Sequence, residues 1–507
     1  MIICQQRTSI KKLKCASIDG FDAISVEVES TFTKGLPAFS IVGLGNSAIQ
    51  ESKDRIKSAL LFNEFKFPPK KITINLSPSE IAKTGSQFDA PIALLIALQE
   101  QRVDFEDFYM FGELGLDGSF KDTKSIFVLA LSLSRNKLIK NVLVPINSAQ
   151  KLSIIPNINI YAVNNLNEAI SFFQSNNKEQ SRVKNTGFEF DFLEIHNKKY
   201  YFTKTFEFDF IDVKGQDVAK RAALISVCGS HNIIFEGNPG SGKSMISKRM
   251  RYILHPMSID EILDKIKLDS IELKEPNFTP TRNFVSPHHT ASKASIIGGT
   301  KIGEIGLSDG GLLFFDELPH FQKGIIEALR EPLEDNIVAI SRVNAKKLYN
   351  TKFLFVAAMN PCPCGNLLST KKDCRCSLLD IQRYKSRLSE PFLDRIDLYV
   401  AMSEVAKTDK PSMNSKQMFD IVLRVFTTQL SRGQSELNGK LIDKDIEKHC
   451  HLDNIAQGIM DKAIENFNLT YRSIKKVQKV ARTIADIEGK KDIDNSCLLE
   501  ALSYRRR

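Results

Sequence analysis

The apolar run Ile233-Ile234-Phe235, followed by Gly237-Asn238-Pro239-Gly240-Ser241-Gly242-Lys243-Ser244, constrains this chain more than any other feature. The spacing G-x-x-x-x-G-K-S, with a strand before it and a helix after it, makes a phosphate-cradling loop. Its glycines let backbone N–H groups turn inward toward phosphate oxygens. Lys243 is placed to neutralise the β- and γ-phosphates of ATP, and Ser244 to ligate Mg²⁺. The N-terminus of the following helix adds partial positive charge. About seventy residues on, GGLLFFDELPHF supplies a second half. The buried strand Leu312–Phe315 delivers Asp316 to hold the metal's water shell and Glu317 to polarise the attacking water. A third strand, FLFVAAMN, ends in Asn360, which either orients that water or caps the strand.

A chain of 507 residues is too long for one core, so several domains are expected. Residues 1–175 alternate strands and helices: SIDGFDAISVEVESTF has period two, NSAIQESKDRIKSALLFN is an amphipathic helix, KKITINLSP and NVLVP are strands, and FDAPIALLIALQE is a buried helix. The polar stretch 176–205 is expected to be a linker. Strand–helix alternation restarts and runs over 206–400. Helical patterns then fill 401–507: MFDIVLRVFTTQL, NIAQGIMDKAIENF and SIKKVQKVARTIADIEG.

The phosphate loop, the acidic strand and the Asn360 strand, in this order, resemble the AAA+ ATPases. Longer segments resemble one branch, the magnesium-chelatase-like YifB/ComM family of bacteria. They include FDFIDVKGQDVAKRAAL, PHHTASKASIIGGTKIGEIGLSDGGLLFFDELPHF, EPLEDNIVAISRVNAKKLYNTKFLFVAAMNPCPCGN, LSEPFLDRIDL, GLPAFSIVGLGNSAIQESKDRIKSAL and SPSEIAKTGSQFDAPIALLIAL. The resemblance covers nearly the whole chain. It implies an α/β architecture: a Lon-protease-like N-terminal domain, an AAA+ P-loop core and a C-terminal helical lid. It also implies that Asn360 is sensor 1, Arg395 in LDRID the arginine finger and Arg472 in TYRS the sensor-2 arginine. An arginine finger reaches the neighbouring subunit's nucleotide, so the resemblance implies a homo-oligomeric, hexameric ring. Its partner in this family is DNA, branched or single-stranded, on which the ring drives branch migration during natural transformation. The hairpin in NIVAISRVNAKKLYN would face the pore, and its Arg342, Lys346 and Lys347 could hold phosphates without reading sequence. A solvated basic hairpin is the alternative. His288 and His289 of PHHT lack an evident third metal ligand and read as structural or DNA-facing.

A working Lon site needs a serine nucleophile and a lysine. Asp89 stands where the serine would, and Lys121 and Lys124 are out of register for the lysine. The N-terminal domain is therefore expected to serve assembly or DNA guidance, not proteolysis. Cys362, Cys364, Cys374 and Cys376 form C-x-C-x₉-C-x-C, which could close a tetrahedral Zn²⁺ site or remain reduced thiols. Nothing is assigned to Cys4, Cys15, Cys228, Cys450 and Cys497.

The net charge of +10 is compatible with a polyanionic partner. No run of about eighteen apolar residues is present, so no membrane span is expected. The first twenty residues lack the apolar core of a signal peptide, so a cytoplasmic location is expected. Three other readings stay open at this point: a chelatase-type ATPase working through a partner, an ATP-dependent protease, and a regulatory ring that binds ATP without moving anything.

Overall fold

A computed structural model describes residues 10–505, apart from 21, 44–46, 66, 176, 185–186, 273–276, 300–301, 343–344, 370–371 and 405–408. The chain divides into two compact units. One comprises residues 1–189 and 266–278, the other 190–265 and 279–507.

The first unit is built on an eight-stranded mixed sheet. Lys11–Asp19 and Asp22–Thr33 form its antiparallel centre, paired from Lys11↔Ser30 to Asp19↔Asp22. Val26 and Val28 are fully buried while their neighbours are half-buried, which realises the period-two pattern of a strand with one face on a core. Phe108–Met110, Asn141–Pro145 and Asn159–Val163 continue the sheet in parallel. Lys71–Ser77 and Ala38–Val42 close the other side. The helix Asp89–Ala97 is buried from Asp89 to Ile96, as the apolar run after Asp89 requires. Within the 176–205 segment expected to be a linker, the structure places Arg182–Val183 on the sheet edge. The same segment also holds the hairpin strands Asp191–Ile195 and Lys198–Phe202, which join Met257–Ser258 in a separate small sheet of the second unit.

The second unit holds a five-stranded parallel sheet. Phe284–Val285, Leu312–Phe315, Leu354–Met359, Ile233–Gly237 and Leu398–Met402 lie side by side in that order. Its strands are apolar on both faces, and alternate residues enter different cores. Ile233, Phe235, Leu312, Phe314, Val356 and Ala358 face one core. Ile234, Leu313, Phe315, Phe355 and Ala357 face the other. Each fully buried Phe contributes about 2–3 kcal/mol of apolar burial.

The C-terminal helices Ser415–Ser431, Asn454–Phe467, Tyr471–Ile487 and Asn495–Ser503 share the first of these cores with the sheet. Tyr471–Ile487 shows why. Val477, Val480, Ala481, Ile484 and Ile487 recur at helical spacing and are all buried. Its N-terminus is capped by the Thr470 hydroxyl, which accepts from the Ser473 N–H, and Gly489 follows its end at φ 71°. The second unit is thus an α/β, AAA+-like layer structure. In it, the strand ending at Asn360 sits between the phosphate-loop strand and the acidic strand.

Candidate functional site

Parallel strands deliver their C-terminal ends to one edge of the sheet, and open sheets of this kind bind ligands there. Asn238 to Gly242 follow one strand, Asp316 and Glu317 a second, and Asn360 a third. Gly240 and Gly242 take φ of 80° and 94°, and a Cβ on either would point into open space. Gly242 leads directly into the helix Lys243–Met250. A side chain at these positions would be strained and would fill the hollow that phosphate oxygens need.

Lys243 is buried and donates from Nζ to the carbonyls of Gly237 at 2.6 Å and Asn238 at 2.9 Å, and to Asn360 Oδ1 at 3.2 Å. Burial holds its pKa below the ordinary lysine value, against the pull of Asp316 and Glu317. The Ser244 hydroxyl donates to Asp316 Oδ2 at 2.8 Å. A hydroxyl and a carboxylate oxygen are hard donors of the kind Mg²⁺ takes, usually with waters completing the shell. Ser241 Oγ and Asn238 Oδ1 are buried in the same loop without a hydrogen-bond partner. A bound phosphate could accept from Ser241. The residues present therefore fit a nucleotide with its metal. Glu317 follows with φ 51°, a conformation that costs a non-glycine residue about 1 kcal/mol or more. Such outliers persist where the fold over-determines them.

Arg395 and Arg472 lie elsewhere. Both ion-pair with the carboxylate of Glu334. Asn232, just before the phosphate-loop strand, donates to the Arg395 carbonyl at 3.0 Å. The pair therefore sits at the opposite end of that five-residue strand from the loop it leads into, on the order of 15 Å away at 3.3 Å per residue. Glu334, Arg395, Arg472, Lys475, Lys476 and Lys479 help line a cleft of about 400 Å³. The expected sensor-2 arginine is thus grouped with the expected finger, away from its own subunit's phosphate loop.

The hairpin expected at NIVAISRVNAKKLYN is present. Ile337–Arg342 and Ala345–Asn350 pair antiparallel, with Ile340 opposite Lys347 and Ser341 opposite Lys346. The side chains of Arg342, Lys346 and Lys347 lie outside the described residues. The ring of His289 lies 4.4 Å from that of His288 and 6.3 Å from that of His320.

The four cysteines converge. Their sulfurs all lie within 4.8 Å of one another. Cys362 Sγ is 3.4 Å from Cys364 Sγ and 3.6 Å from Cys374 Sγ, and Cys364 Sγ is 3.6 Å from Cys374 Sγ. A tetrahedral Zn²⁺ with 2.3 Å bonds requires edges of about 3.8 Å, so the donor set fits. Backbone N–H groups of Asn366 and Arg375 point at Cys364 and draw its thiol down to about 6. The same crowding of sulfurs pushes Cys374 up and Cys376 up to about 12, so one thiolate forms first and its neighbours resist ionising beside it.

In the first unit, Asp89 is fully buried. It accepts from Arg55 Nε at 2.8 Å and from the Ser52 hydroxyl. Burial pushes its carboxyl upward despite both donors. Lys121 is exposed on the strand Phe120–Lys121, and Lys124 precedes the helix Ser125–Arg135.

Sequence reasoning missed three acids that organise the second unit. Glu334 gathers the two arginines. Glu236 accepts from the Tyr399 hydroxyl at 2.6 Å and pairs with Lys385 at 3.1 Å. Glu404 accepts from Asn238 Nδ2 at 3.3 Å and from the Ser369 hydroxyl at 2.5 Å. All three act across long sequence separations and carry no local motif.

Three protein families match consecutive parts of the chain. "Subunit ChlI of Mg-chelatase" covers residues 28–148, "Magnesium chelatase, subunit ChlI" 209–410, and "Magnesium chelatase, subunit ChlI C-terminal" 412–505. The chain is 34% identical to the competence protein ComM of Haemophilus influenzae, over 96% of this chain and 95% of that protein. It is 33% identical to YifB of Salmonella typhimurium and 32% identical to YifB of Escherichia coli, again over 96% and 95%. Among the described residues no helix is long and apolar enough to cross a membrane.

Proposed function

The chain belongs to the ComM/YifB family of magnesium-chelatase-like AAA+ ATPases, and from that premise we propose that it is a ring-forming motor, hexameric, that hydrolyses ATP to move on and remodel branched DNA. The observation that carries the ATPase reading is the convergence of Lys243, Ser244, Asp316 and Asn360 at the ends of three adjacent strands. In this reading Lys243 leaves its loop carbonyls for the β- and γ-phosphates. Ser244 and Asp316 hold Mg²⁺, which neutralises charge on the phosphate oxygens. Glu317 accepts a hydrogen bond from the attacking water and polarises it, and Asn360 orients that water.

The distance of Arg395 and Arg472 from their own loop argues that they serve another subunit's nucleotide. Both act on the neighbouring subunit's γ-phosphate, released from Glu334 as the ring closes. The separation of the arginine pair from the loop supports an assembly in which each nucleotide lies between two subunits. The first unit is a Lon-protease-like module in which Asp89, paired with Arg55, stands where a serine nucleophile would. It serves assembly or DNA guidance. The C-terminal helices form the lid domain of the motor. Zn²⁺ occupies the four-cysteine cluster.

The DNA reading rests on the ComM relationship and on the basic hairpin. It is tested by measuring ATPase with no DNA and with single-stranded, duplex and four-way-junction DNA. Stimulation by junctions supports a DNA motor. ATPase indifferent to every DNA would point instead to a chelatase-type ATPase that works through a protein partner. Replacing both Lys346 and Lys347 by Ala should leave basal ATPase intact. It should weaken binding to all DNA sequences alike and reduce the salt slope by about 2. Junction unwinding at the parent's rate and salt would exclude this role for the hairpin.

A further inference from the structure

Between Met359 and Leu378 the described residues form neither helix nor strand. A connection that long inside a compact unit needs something other than backbone ladders to hold it. Its fully buried Cys362, exposed Cys364 and half-buried Cys374 and Cys376 bring four sulfurs within 4.8 Å of one another.

This loop lies directly on the phosphate loop, through three separate links. Gly365 packs so closely that a Cβ there would meet Pro239 Cδ and Cγ at 2.7 Å. Its φ of 78° also disfavours any side chain. Ser369 and Asn238 both donate to Glu404 Oε1, at 2.5 and 3.3 Å, so one carboxylate oxygen ties the two loops together. Asn360, two residues before Cys362, accepts from Lys243 Nζ at 3.2 Å. Pro239, Asn238 and Lys243 are three members of the phosphate-binding string. A shift of the cysteine loop would move all three.

We propose that the four-cysteine zinc centre is a clasp that holds the phosphate loop in its binding shape, so that nucleotide affinity depends on the metal. Zn²⁺ bound by four thiolates is tetrahedral, redox-inert and structurally closed, so it acts as a cross-link and not as a catalyst. With the metal gone, the loop between Pro361 and Ser377 loses its tetradentate tie. Gly365 and Ser369 then no longer buttress Pro239 and Asn238. Preorganisation of the phosphate cradle is lost and affinity falls, because ordering must then be supplied on binding.

The inference rests on the nucleotide site proposed above, and the test separates the two. The full chain is purified without chelator, and its zinc is measured by mass spectrometry of the metal. Binding of a fluorescent ATP analogue is followed as loaded protein, after zinc is stripped with a mercurial thiol reagent that is then removed under reducing conditions, and after zinc is restored. The expected result is about one zinc per chain, an affinity about tenfold weaker after stripping, and recovery on adding zinc. Gly365→Ala should keep its zinc and lose affinity by a similar factor, because it pushes the two loops apart without touching a sulfur. Should the stripped protein unfold by circular dichroism, Gly365→Ala decides alone. Unchanged affinity in Gly365→Ala would overturn the clasp. So would equal binding by folded stripped and loaded protein, or a chain that neither carries zinc nor takes it up. Lys243→Ala is measured alongside. If it binds the analogue like the parent, the nucleotide site itself is misplaced; if only the zinc dependence is missing, the site stands and the clasp falls.

Discussion

Lys243 shows how much one side chain carries. Its ammonium is buried against two carbonyls and Asn360, at some cost in solvation. Phosphate oxygens offer it a full opposite charge in place of those neutral acceptors. Lys243→Ala should therefore cut ATP turnover by about a hundredfold or more, in a steady-state phosphate-release assay. Turnover near the parent's would mean the chemistry happens elsewhere. Glu317→Gln separates binding from hydrolysis. The amide keeps the shape but no longer polarises water, so ATP should still bind while turnover falls by about a hundredfold. Loss of binding in that variant would show that Glu317 contacts the nucleotide's metal and not the water. These residues were legible in the sequence because their spacing is local: eight consecutive positions for the loop, and a strand ending in two acids. Glu334, Glu236 and Glu404 were not. Each meets its partners across tens to hundreds of residues, and nothing in the neighbouring sequence marks an acid as the far end of such a contact.

At the scale of elements, period-two alternation announced Asp22–Thr33 and Lys71–Ser77, and the continuous apolar runs announced Leu312–Phe315 and Leu354–Met359. The strands of 182–202 escaped notice because their polar, half-exposed residues carry no such pattern. Two histidines of the second unit make a pH prediction. His231 precedes the phosphate-loop strand, and its Nε2 lies 2.7 Å from Thr483 Oγ1. Burial lowers its pKa to about 4, with Asp397 only partly opposing the shift. Burial, with Arg282 beside it, lowers His255 to about 3. Below pH 6.5 the unfolded chain binds protons that the folded chain refuses until about pH 4 or 3. Stability from these two groups is thus complete above pH 6.5 and is lost as pH falls through that window. Each histidine costs at most about 1.4 kcal/mol per pH unit there. Urea midpoints should drop between pH 7 and pH 5, and His231→Asn should make the slope shallower. A slope identical in parent and variant would show that His231 is protonated in the folded state.

For the molecule as a whole, the placement of Arg395 and Arg472 makes the strongest demand. If they serve a neighbour, two crippled subunits can repair each other. Rings mixed from Lys243→Ala and Arg395→Ala chains should recover a measurable fraction of parental ATPase, since some interfaces then join an intact loop to an intact arginine. No recovery from rings shown to be mixed would place Arg395 in its own subunit's site. The C-terminal helices could be read as helices from their 3.6-residue periodicity. Their sharing of a core with the sheet could not, because an apolar stripe does not say what it will cover. The strand Ile233–Gly237 keeps a chain's phosphate loop and its arginines at opposite ends; if those arginines act on a neighbour, as proposed, dilution alone should silence the enzyme. Specific activity would then rise with protein concentration and level off once neighbours are saturated. Copy number would set the output, with no inhibitor needed to hold a lone chain idle while its nucleotide stays bound.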